Sequence, residues 1–228
     1  MLELRARIAL DHFARAVREG PERECPICGY HGRFSPVRHK PSIWCPGCDS
    51  RPRHRLLKLW LEREAEVAPT SRGLHFAAEP GVSDALGDVE EYRTAYLNDR
   101  FELRLDLEEM ALPDGRFDLI IANHVLEHVN DFKALREISR VLSPGGLAVL
   151  TVPLVEGWTE TLEGDGWSEE EAKLFATDHT HLRLYGKDFR DRIRAAGLAC
   201  EEFTAVEPDV SRYGLHRGEK IFLARKNI

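Results

Sequence analysis

Four cysteines in this chain have the spacing of metal ligands. Cys25 pairs with Cys28 and Cys45 with Cys48 as two Cys-x-x-Cys motifs, and the 16 residues from 29 to 44 separate the pairs. Each motif makes a tight turn that directs two sulfurs to one point, and two such turns complete the tetrahedron that Zn²⁺ prefers. Because four thiolates leave no open position for a substrate, we expect a structural zinc ribbon rather than a redox or catalytic centre.

Two histidines and a glutamate form a second group that could do chemistry. His124 and His128 flank Glu127 in a His-x-x-Glu-His pattern, and residues three and four positions apart share one face of a helix. Such a face could hold a divalent metal ion. The sequence favours the alternative, in which Glu127 and His128 only cap or brace a helix.

A row of polar residues lies further along the chain, between Asp178 and Tyr185. In an extended segment, alternation would place His179, His181, Arg183 and Tyr185 on one face. Because such a row is unexpected on a core strand, we interpret it as a wall that faces a substrate. His179 or His181 would act as a general base, and Arg183 would contact an anion. An ordinary surface strand is the alternative.

An acidic segment over residues 153–177 precedes this row and would overhang the mouth of a site as a lid or wall. Aromatic rings combined with carboxylates suit a sugar or a cationic small molecule and repel nucleic-acid phosphate. Alternatively, the rings only fasten the segment to the body of the protein. Its acids and aromatic residues are Glu156, Glu160, Glu163, Asp165, Glu169, Glu170, Glu171, Trp158, Trp167 and Phe175.

These groups need strands and helices to position them. Short apolar strands alternate with helices after residue 71, which is typical of a doubly wound, mainly parallel α/β sheet. The strongest strand is Phe117–Ala122, and the clearest helix is Asp131–Leu142, which Ser143-Pro144-Gly145-Gly146 should end. The other predicted strands are Gly73–Ala77, Tyr92–Leu97, Glu102–Leu105, Leu147–Val152, Leu198–Val206 and Lys220–Ala224, and a further helix covers Lys187–Ala196.

Residues 1–70 form a separate predicted domain that contains the zinc ribbon between two helices. The first helix is amphipathic and covers residues 2–18, and the second runs from Pro52 to about Val67. Pro69-Thr70-Ser71 has the composition of a linker. The second domain, residues 71–228, would then carry the sheet, with residues 153–177 as its acidic insert.

Charge is distributed unevenly and bears on possible partners. The net charge is −7: residues 1–60 have 12 Lys and Arg against 6 Asp and Glu, and the remainder has 20 against 33. An acidic body binds phosphate backbones poorly, so a nucleic-acid partner is disfavoured. The basic stretch Arg51-Pro52-Arg53-His54-Arg55 could still contact an anion of a substrate or of RNA, although a solvated helix start explains it more simply.

The sequence also bears on cellular location. No run of about 18 apolar residues is present, so we expect no membrane partner. The N-terminal charges Glu3, Arg5, Arg7, Asp11 and Arg15 interrupt any signal-peptide core. Cysteine pairs that suit a metal better than disulfides are typical of a reducing compartment. We therefore expect a cytoplasmic protein, while the sequence gives no indication of its oligomeric state.

Three stretches of the second domain resemble a known family. They are LPDGRFDLI at 112–120, HVLEHV at 124–129 and ALREISRVLSPGG at 134–146. Their order and spacing resemble those of class I S-adenosylmethionine-dependent methyltransferases. The resemblance implies a Rossmann-like doubly wound sheet that uses S-adenosyl-L-methionine as methyl donor. In combination with a four-cysteine ribbon, the chain is similar to a bacterial subgroup of these enzymes.

The resemblance also implies which residues hold the methyl donor, at the carboxyl ends of the strands. The first loop has one glycine, Gly81, where the family usually has three. Small Ala77 and Ala78 would still permit close approach, and Glu79 could face the amine of the donor. The remaining matches are Tyr96 and Asn98 (or Asp99) for the ribose, Asp106 with Leu107 for the adenine, and Asn123 with His124 for the methionine part.

Taken together, these patterns predict an enzyme that methylates a small-molecule or glycan acceptor at oxygen. Methyl transfer needs alignment of acceptor and sulfonium and, at oxygen, a base. The candidate catalytic residues are His179, His181, His124, Tyr185 and Arg183. Two alternatives stay open at this point: an RNA or ribosomal methyltransferase that grips nucleic acid with the basic ribbon, and a non-catalytic interaction protein.

Overall fold

The computed structural model describes residues 20–37, 40–65, 71–86, 89–164 and 180–228. The predicted helix over residues 2–18, most of the predicted linker, residues 165–177 of the acidic segment and His179 lie outside these ranges. The chain divides into two compact units: the ribbon unit (1–66, 79–85 and 204–219) and the sheet unit (67–78, 86–203 and 220–228). The units are interleaved along the chain, whereas the sequence predicts a single boundary at residue 70.

The ribbon unit contains two short antiparallel hairpins. Strand β1 (Glu22–Glu24) pairs with β2 (His31–Arg33), and β3 (Ser35–Val37) pairs with β4 (Lys40–Trp44). Helix α1 (Pro52–Arg63) starts at a proline, which needs no partner for the missing N–H in the first turn. It ends at Arg63 rather than at the predicted Val67. A four-residue helix, α2 (Pro80–Ser83), follows later in the chain.

Among the described residues, the sheet unit is built on one seven-stranded sheet of order β12-β13-β9-β8-β5-β6-β7. Strands β7, β6, β5, β8 and β9 run parallel, and β13 is antiparallel to β9. The predicted doubly wound, mainly parallel fold is therefore confirmed. The strands are β5 (Arg72–Phe76), β6 (Glu91–Tyr96), β7 (Leu103–Arg104), β8 (Phe117–Asn123), β9 (Leu142–Thr151), β12 (Leu198–Thr204) and β13 (Lys220–Lys226).

Two helices and a small two-stranded sheet complete the described part of this unit. Helix α3 (Asp131–Val141) begins after Asn130, whose side chain accepts a hydrogen bond from the Lys133 N–H, and buries one apolar stripe. Helix α4 (Phe189–Ala195) buries Phe189 and Ile193. Strands β10 (Leu162–Glu163) and β11 (Arg183–Leu184) pair antiparallel. A last short helix, α5 (Asp209–Tyr213), belongs to the ribbon unit.

The burial of strand β8 explains why the sequence predicts this strand most strongly. Strand β8 is buried on both faces except at Asp118, as a central parallel strand must be. Strand β9 starts at Leu142, five residues before the predicted Leu147, because the Ser-Pro-Gly-Gly stretch already belongs to the strand.

No helix in the described part of the chain is long and apolar enough to cross a membrane.

The chain order of the strands creates a switch point beside β5. From β5 the chain continues to β6 and β7 on one side and then to β8 and β9 on the other. The connections after β5 and after β8 therefore diverge, and ligands of open α/β sheets bind in the crevice at the carboxyl ends of such strands. The carboxyl ends of β5, β6 and β8 therefore border the candidate binding crevice.

Candidate functional site

The four cysteine sulfurs of the ribbon unit converge on one point. Cys25 Sγ lies 3.6 Å from Cys48 Sγ, and Cys28 Sγ lies 3.6 Å from Cys45 Sγ. All four sulfurs lie within 4.8 Å of one another. A disulfide would need about 2.05 Å, whereas four sulfurs bound at about 2.3 Å around a tetrahedral ion are about 3.8 Å apart. The cluster therefore has the dimensions of a four-thiolate metal centre.

The two cysteine turns have the same backbone hydrogen bond and similar backbone conformations. The N–H of Gly29 donates to the Cys25 carbonyl at 2.9 Å, and the N–H of Asp49 donates to the Cys45 carbonyl at 2.8 Å. Both donors have a left-handed conformation, with φ of 72° and 56°. Glycine favours this conformation, and aspartate tolerates it better than most residues. The two halves of the centre are therefore equivalent, although the sequence marks only the first with a glycine at this position.

Hydrogen bonds favour the thiolate form at one of the four sulfurs. Burial raises the pKa of Cys25, but the Ser50 hydroxyl and the backbone N–H groups of Ile27 and Cys28 lower that pKa by more, to about 7. At Cys45, burial dominates and raises the pKa of the thiol. A bound divalent ion would deprotonate both thiols, because metal binding to cysteine releases protons.

Two arginines of the basic stretch, Arg51 and Arg55, contact other residues of the ribbon unit. The Arg55 side chain is fully buried and lies 4.6 Å from the Phe34 ring centroid. Burial lowers its pKa to about 10, so the guanidinium stays charged at neutral pH beside the cysteines. Arg51 lies over the Trp44 ring at 5.5 Å. The Arg55 guanidinium donates to four backbone carbonyls, those of Ile43, Ser50, Tyr213 and Gly214.

Part of the predicted first loop lies in the ribbon unit. Glu79 Oε1 is 3.4 Å from His54 Nε2. A Cβ added to Gly81 would come within 2.2 Å of Ile27 Cγ2, so packing against Ile27 requires glycine at this position. The sequence does not reveal this reason for Gly81. Its predicted role, and that of Glu79, in holding the methyl donor stay predictions.

The beginning of the same loop lies in the sheet unit, directly after β5. Ala77 has φ of 50°, a left-handed conformation that favours glycine. Its N–H donates to the Ala95 carbonyl on β6 at 2.9 Å, which holds this turn in place. Neither Ala77 nor Ala78 carries a long side chain. The chain thus keeps a sharp, open turn where the family usually has glycines, and a ligand could approach its backbone closely.

A hollow of about 90 Å³ lies at the carboxyl ends of β5 and β6 and beside the loop after β8. Sites that enclose a drug-sized ligand have roughly 300–1,000 Å³, so this hollow can take only the flat, apolar part of one. Two of the predicted donor-binding residues, Tyr96 and Leu107, line it. The lining residues are Phe76, Tyr96, Leu97, Leu105, Leu107, Val125, His128 and Val129.

Two polar residues of the predicted set are next in sequence to residues that line this hollow. Asp106 is exposed between the lining residues Leu105 and Leu107, and its Oδ1 accepts the Glu108 N–H at 2.9 Å. Asn98 is exposed directly after the lining residue Leu97. The hollow thus has a largely apolar lining with exposed polar residues next to it in sequence, a combination that suits a nucleoside.

Strand β8 ends at Asn123, and Asn123 and His124 are the two residues predicted to contact the methionine part of the donor. Asn123 is buried, and its Oδ1 accepts a hydrogen bond from the Thr151 hydroxyl on β9. His124 follows with φ of 57°, and its backbone N–H donates to the Thr151 carbonyl at 3.0 Å. A left-handed conformation costs a non-glycine residue about 1–2 kcal/mol. Such strain at the end of a central strand is typical of functional sites.

Glu127 is the centre of a histidine cluster that the sequence indicates only in part. Its side chain is fully buried, and Oε1 lies 2.8 Å from His124 Nδ1 and 4.0 Å from His181 Nε2. Burial raises the pKa of Glu127, but the hydrogen bond with His124 and the nearby charges of His124 and His128 together lower that pKa by more. The rings of His128 and His181 are 4.9 Å apart between centroids. Glu127, His128 and His181 offer ligand atoms within 4.8 Å of one another.

The observed cluster around Glu127 differs from the helical face that the His-x-x-Glu-His pattern predicts. A helical face would present His124, Glu127 and His128 together, but only Leu126–His128 form a short 3-10 turn. His124 instead becomes a hydrogen-bond partner of Glu127. His181, which is distant in sequence, takes its place beside Glu127 and His128. Periodicity could find the first three residues, but only the tertiary fold brings the fourth to them.

The polar row expected to face a substrate is directed inward at two of its four positions. Arg183 is buried and donates to Glu163 at 2.9 Å and to the Val129 carbonyl at 2.5 Å. Tyr185 is fully buried, and its hydroxyl donates to the Leu126 carbonyl at 3.1 Å. These contacts differ from the predicted substrate-facing wall and give both side chains a structural role. His181 is nearly buried beside Glu127, and His179 lies outside the described residues.

The described acids of the overhanging segment also have internal partners. Glu163 accepts hydrogen bonds from both Arg183 and Arg192, and Glu156 pairs with Arg190 at 3.0 Å. Arginines of the sheet unit therefore neutralise two of the acids that the sequence assigns to an acidic wall. The aromatic side chain of Trp158 is partly exposed in the same segment.

Comparison with known proteins agrees with this geometry. A family model described as a methyltransferase domain matches residues 10–202. No curated protein matches the chain. The structure of the cyclase SpnF has a TM-score of 0.59 with 19% identity, covering 96% of this chain and 93% of that one.

Two methyltransferase structures have a similar fold. The 1,6-didemethyltoxoflavin-N1-methyltransferase of Burkholderia thailandensis, with bound S-adenosylhomocysteine, has a TM-score of 0.53 and 16% identity over 78% of each chain. An S-adenosylmethionine-dependent methyltransferase from Mesorhizobium loti has a TM-score of 0.54 and 16% identity, covering 74% of this chain and 96% of that one. With the family match over most of its length, this chain belongs to the S-adenosylmethionine-dependent methyltransferases.

Proposed function

We propose that this enzyme transfers the methyl group of S-adenosylmethionine to an oxygen atom of a small-molecule or glycan acceptor. The observation that carries the proposal is the hydrogen-bonded pair of His124 and the buried Glu127 at the carboxyl end of β8. Val125, the residue that follows His124, lines the apolar hollow. A base would thus be adjacent to the hollow in which we place the methyl donor.

The pair has the arrangement of a general base with an orienting carboxylate. Because Glu127 is charged, His124 Nδ1 donates to it and leaves Nε2 to accept a proton. The acceptor hydroxyl would give its proton to Nε2 while its oxygen attacks the methyl carbon in line with the carbon–sulfur bond. That bond breaks, the sulfonium becomes the neutral thioether of S-adenosylhomocysteine, and the oxygen becomes a methyl ether. The imidazolium then returns its proton to water.

The lining of the hollow and the polar residues next to it in sequence support a specific arrangement of the methyl donor. The apolar interior suits the flat adenine ring beside Leu107, and the exposed Asp106 can accept hydrogen bonds from the adenine amine. Tyr96 and Asn98 would lie near the ribose, and Asn123 near the methionine part. Because the hollow is smaller than the whole donor, the remainder would extend along the Ala77–Ala78 backbone.

In the ribbon unit, we propose a structural Zn²⁺ bound by Cys25, Cys28, Cys45 and Cys48. The sulfur–sulfur distances of 3.6 Å and the two equivalent turns support it. Four thiolates complete the coordination sphere, so this ion would hold the ribbon together and take no part in methyl transfer.

The surroundings of the basic stretch favour a small acceptor over RNA. Arg55 is buried and Arg51 stacks on Trp44, so these two cations have partners within the protein. A protein that grips nucleic acid needs several free cations aligned along a phosphate backbone. The net charge of −7 also opposes such binding.

Tritium-labelled S-adenosylmethionine tests this proposal with two classes of acceptor. The zinc-loaded enzyme is incubated either with a panel of phenols, sugars and glycosides or with ribosomal RNA, at low and high salt. We expect label in the small-molecule fraction and a loss of about 100-fold or more in turnover for His124→Gln, because general-base catalysis contributes about that much. Label only in RNA, or full activity of His124→Gln, would refute the acceptor class or the base.

A further inference from the structure

One oxygen of Glu127 has an unusual environment. Its Oε1 is hydrogen-bonded to His124, but Oε2 is buried and has no hydrogen-bond partner among the residues described here. A charged oxygen without a partner in a protein interior costs several kcal/mol of free energy. Native structures rarely leave such a group without a ligand, a water or an ion. This oxygen therefore indicates that something else binds there.

His128 is held in the way that metal-ligating histidines usually are. Its Nδ1 lies 3.2 Å from the Thr180 carbonyl and 3.1 Å from the Thr180 hydroxyl. When Nδ1 carries the proton and donates to the carbonyl, the lone pair of Nε2 is left for another partner. The hydrogen bond from His124 to Glu127 orients the carboxylate in the same way. Bonds of this kind, from a ligating histidine to a carbonyl or onto a ligating carboxylate, surround most protein metal sites.

We propose that Glu127, His128 and His181 bind a divalent transition-metal ion. Their ligand atoms lie within 4.8 Å of one another, and His181 Nε2 faces Glu127 at 4.0 Å. Metal–ligand bonds of about 2.0–2.2 Å would draw these atoms together by side-chain rotations alone. Two imidazoles and one carboxylate suit Zn²⁺, Fe²⁺, Co²⁺ or Mn²⁺ and leave coordination positions open for a substrate. This site is separate from the four cysteines of the ribbon unit.

The open positions give the ion a function if the proposed methyl transfer to oxygen is correct. His128 both belongs to the site and lines the hollow, so the ion would lie at the border of the donor site. An acceptor hydroxyl bound to the ion would lose its proton to His124 more easily, since a divalent cation lowers the pKa of a bound O–H group. The resulting oxygen would attack the methyl carbon as described above. The acceptor would then need a hydroxyl with a second oxygen nearby, as in a catechol or a sugar diol.

A titration with Co²⁺ tests the site directly. The full-length chain is first loaded with a single equivalent of Zn²⁺, which the four thiolates bind in preference to nitrogen and oxygen ligands, and excess Zn²⁺ is removed. Co²⁺ binding is then followed by calorimetry and visible absorption. We expect one Co²⁺ per chain with weak d–d absorption and without sulfur charge-transfer bands, because the ligands are nitrogen and oxygen. His128→Ala and His181→Ala should each weaken this binding at least about 10-fold. His216→Ala, in an exposed turn of the ribbon unit, is the control and should bind Co²⁺ normally.

The outcomes separate the site from the function. No additional Co²⁺ in the wild-type chain, sulfur charge-transfer bands alone, or undiminished binding in both histidine variants would overturn the metal site. The same samples are titrated with S-adenosylmethionine. If this donor binds and Co²⁺ does not, the metal site is wrong and the proposed methyl transfer stands. If Co²⁺ binds at Glu127, His128 and His181 but the donor does not, the site stands and its role in methyl transfer is wrong.

Discussion

At the scale of single residues, Arg183 and Tyr185 share one face of the segment 181–185, and both side chains are buried. Alternation correctly groups Arg183 with Tyr185, but it does not say whether their shared face is covered. In the structure, Glu163 of β10 and the backbone around Leu126 cover that face. The buried carbonyls there need donors, and the two side chains supply them. Sequence reasoning could not foresee this, because the covering residues come from distant parts of the chain.

Tyr185→Phe tests this structural interpretation. It removes the buried hydrogen bonds of the hydroxyl with the Leu126 carbonyl and with Arg183, and should lower the free energy of unfolding by about 1–2 kcal/mol. Turnover and donor affinity should change less than about twofold, since the hydroxyl does not reach a ligand. Urea unfolding and labelled-methyl assays measure the two effects. A large loss of turnover with unchanged stability would instead place Tyr185 in the substrate site.

At the scale of strands and helices, hydrophobic patterns predicted the central sheet well. Strands β5, β6 and β8 begin and end within one residue of the prediction. In β5 and β8 the buried apolar runs explain this agreement. The helices α2 and α5 were not predicted, since four or five residues are too few to show a period. The early start of β9 was also missed, because Pro and Gly usually signal a turn.

One ion pair fastens three of these strands together at their amino ends. Asp118 on β8 accepts three hydrogen bonds from Arg72 on β5 and one from the Ser143 hydroxyl on β9. The hydrogen bonds from Arg72 hold the pKa of Asp118 well below its usual value. A carboxylate with a lowered folded-state pKa stabilises the fold fully above its unfolded-state pKa of about 4, and this contribution is lost as the pH falls further.

Asp118→Asn should therefore destabilise the protein by roughly 1–2 kcal/mol at pH 7. Between about pH 5 and pH 3, the variant should lose less stability than the wild type, because the titrating group is gone. Urea unfolding at several pH values measures both effects. Glu90→Gln, in the exposed turn before β6, is the control and should follow the wild type. Parallel curves for wild type and Asp118→Asn would contradict the assignment.

At the scale of the whole molecule, the chain forms two interleaved units rather than two consecutive domains. The cysteine spacing identified the ribbon, but no sequence pattern indicates that residues 79–85 and 204–219 belong with it. The reasons are contacts within the ribbon unit that only the structure shows. Ile27 packs against Gly81, and Arg55 donates to the carbonyls of Tyr213 and Gly214.

Cys28→Ser tests this division. Loss of one thiolate should weaken zinc binding and, because binding free energy is folding free energy at such a centre, loosen the ribbon unit. Hydrogen exchange should then accelerate in residues 20–37 and 40–65 and also in 79–85 and 204–219. Amides in β8 should stay protected. Cys200→Ser, a thiol in the sheet unit, should change neither pattern, and continued protection of 204–219 in Cys28→Ser would contradict the division.

The central claim is that the hollow at the carboxyl ends of β5 and β6 holds S-adenosylmethionine. Isothermal titration of the folded, zinc-loaded chain tests it most directly. We predict saturable binding of one S-adenosylmethionine per chain, competed by S-adenosylhomocysteine and weakened by Asp106→Ala, where a lost hydrogen bond to the adenine amine should cost about 1 kcal/mol. A titration without heat, on a sample whose fold and zinc content are intact, would contradict the claim.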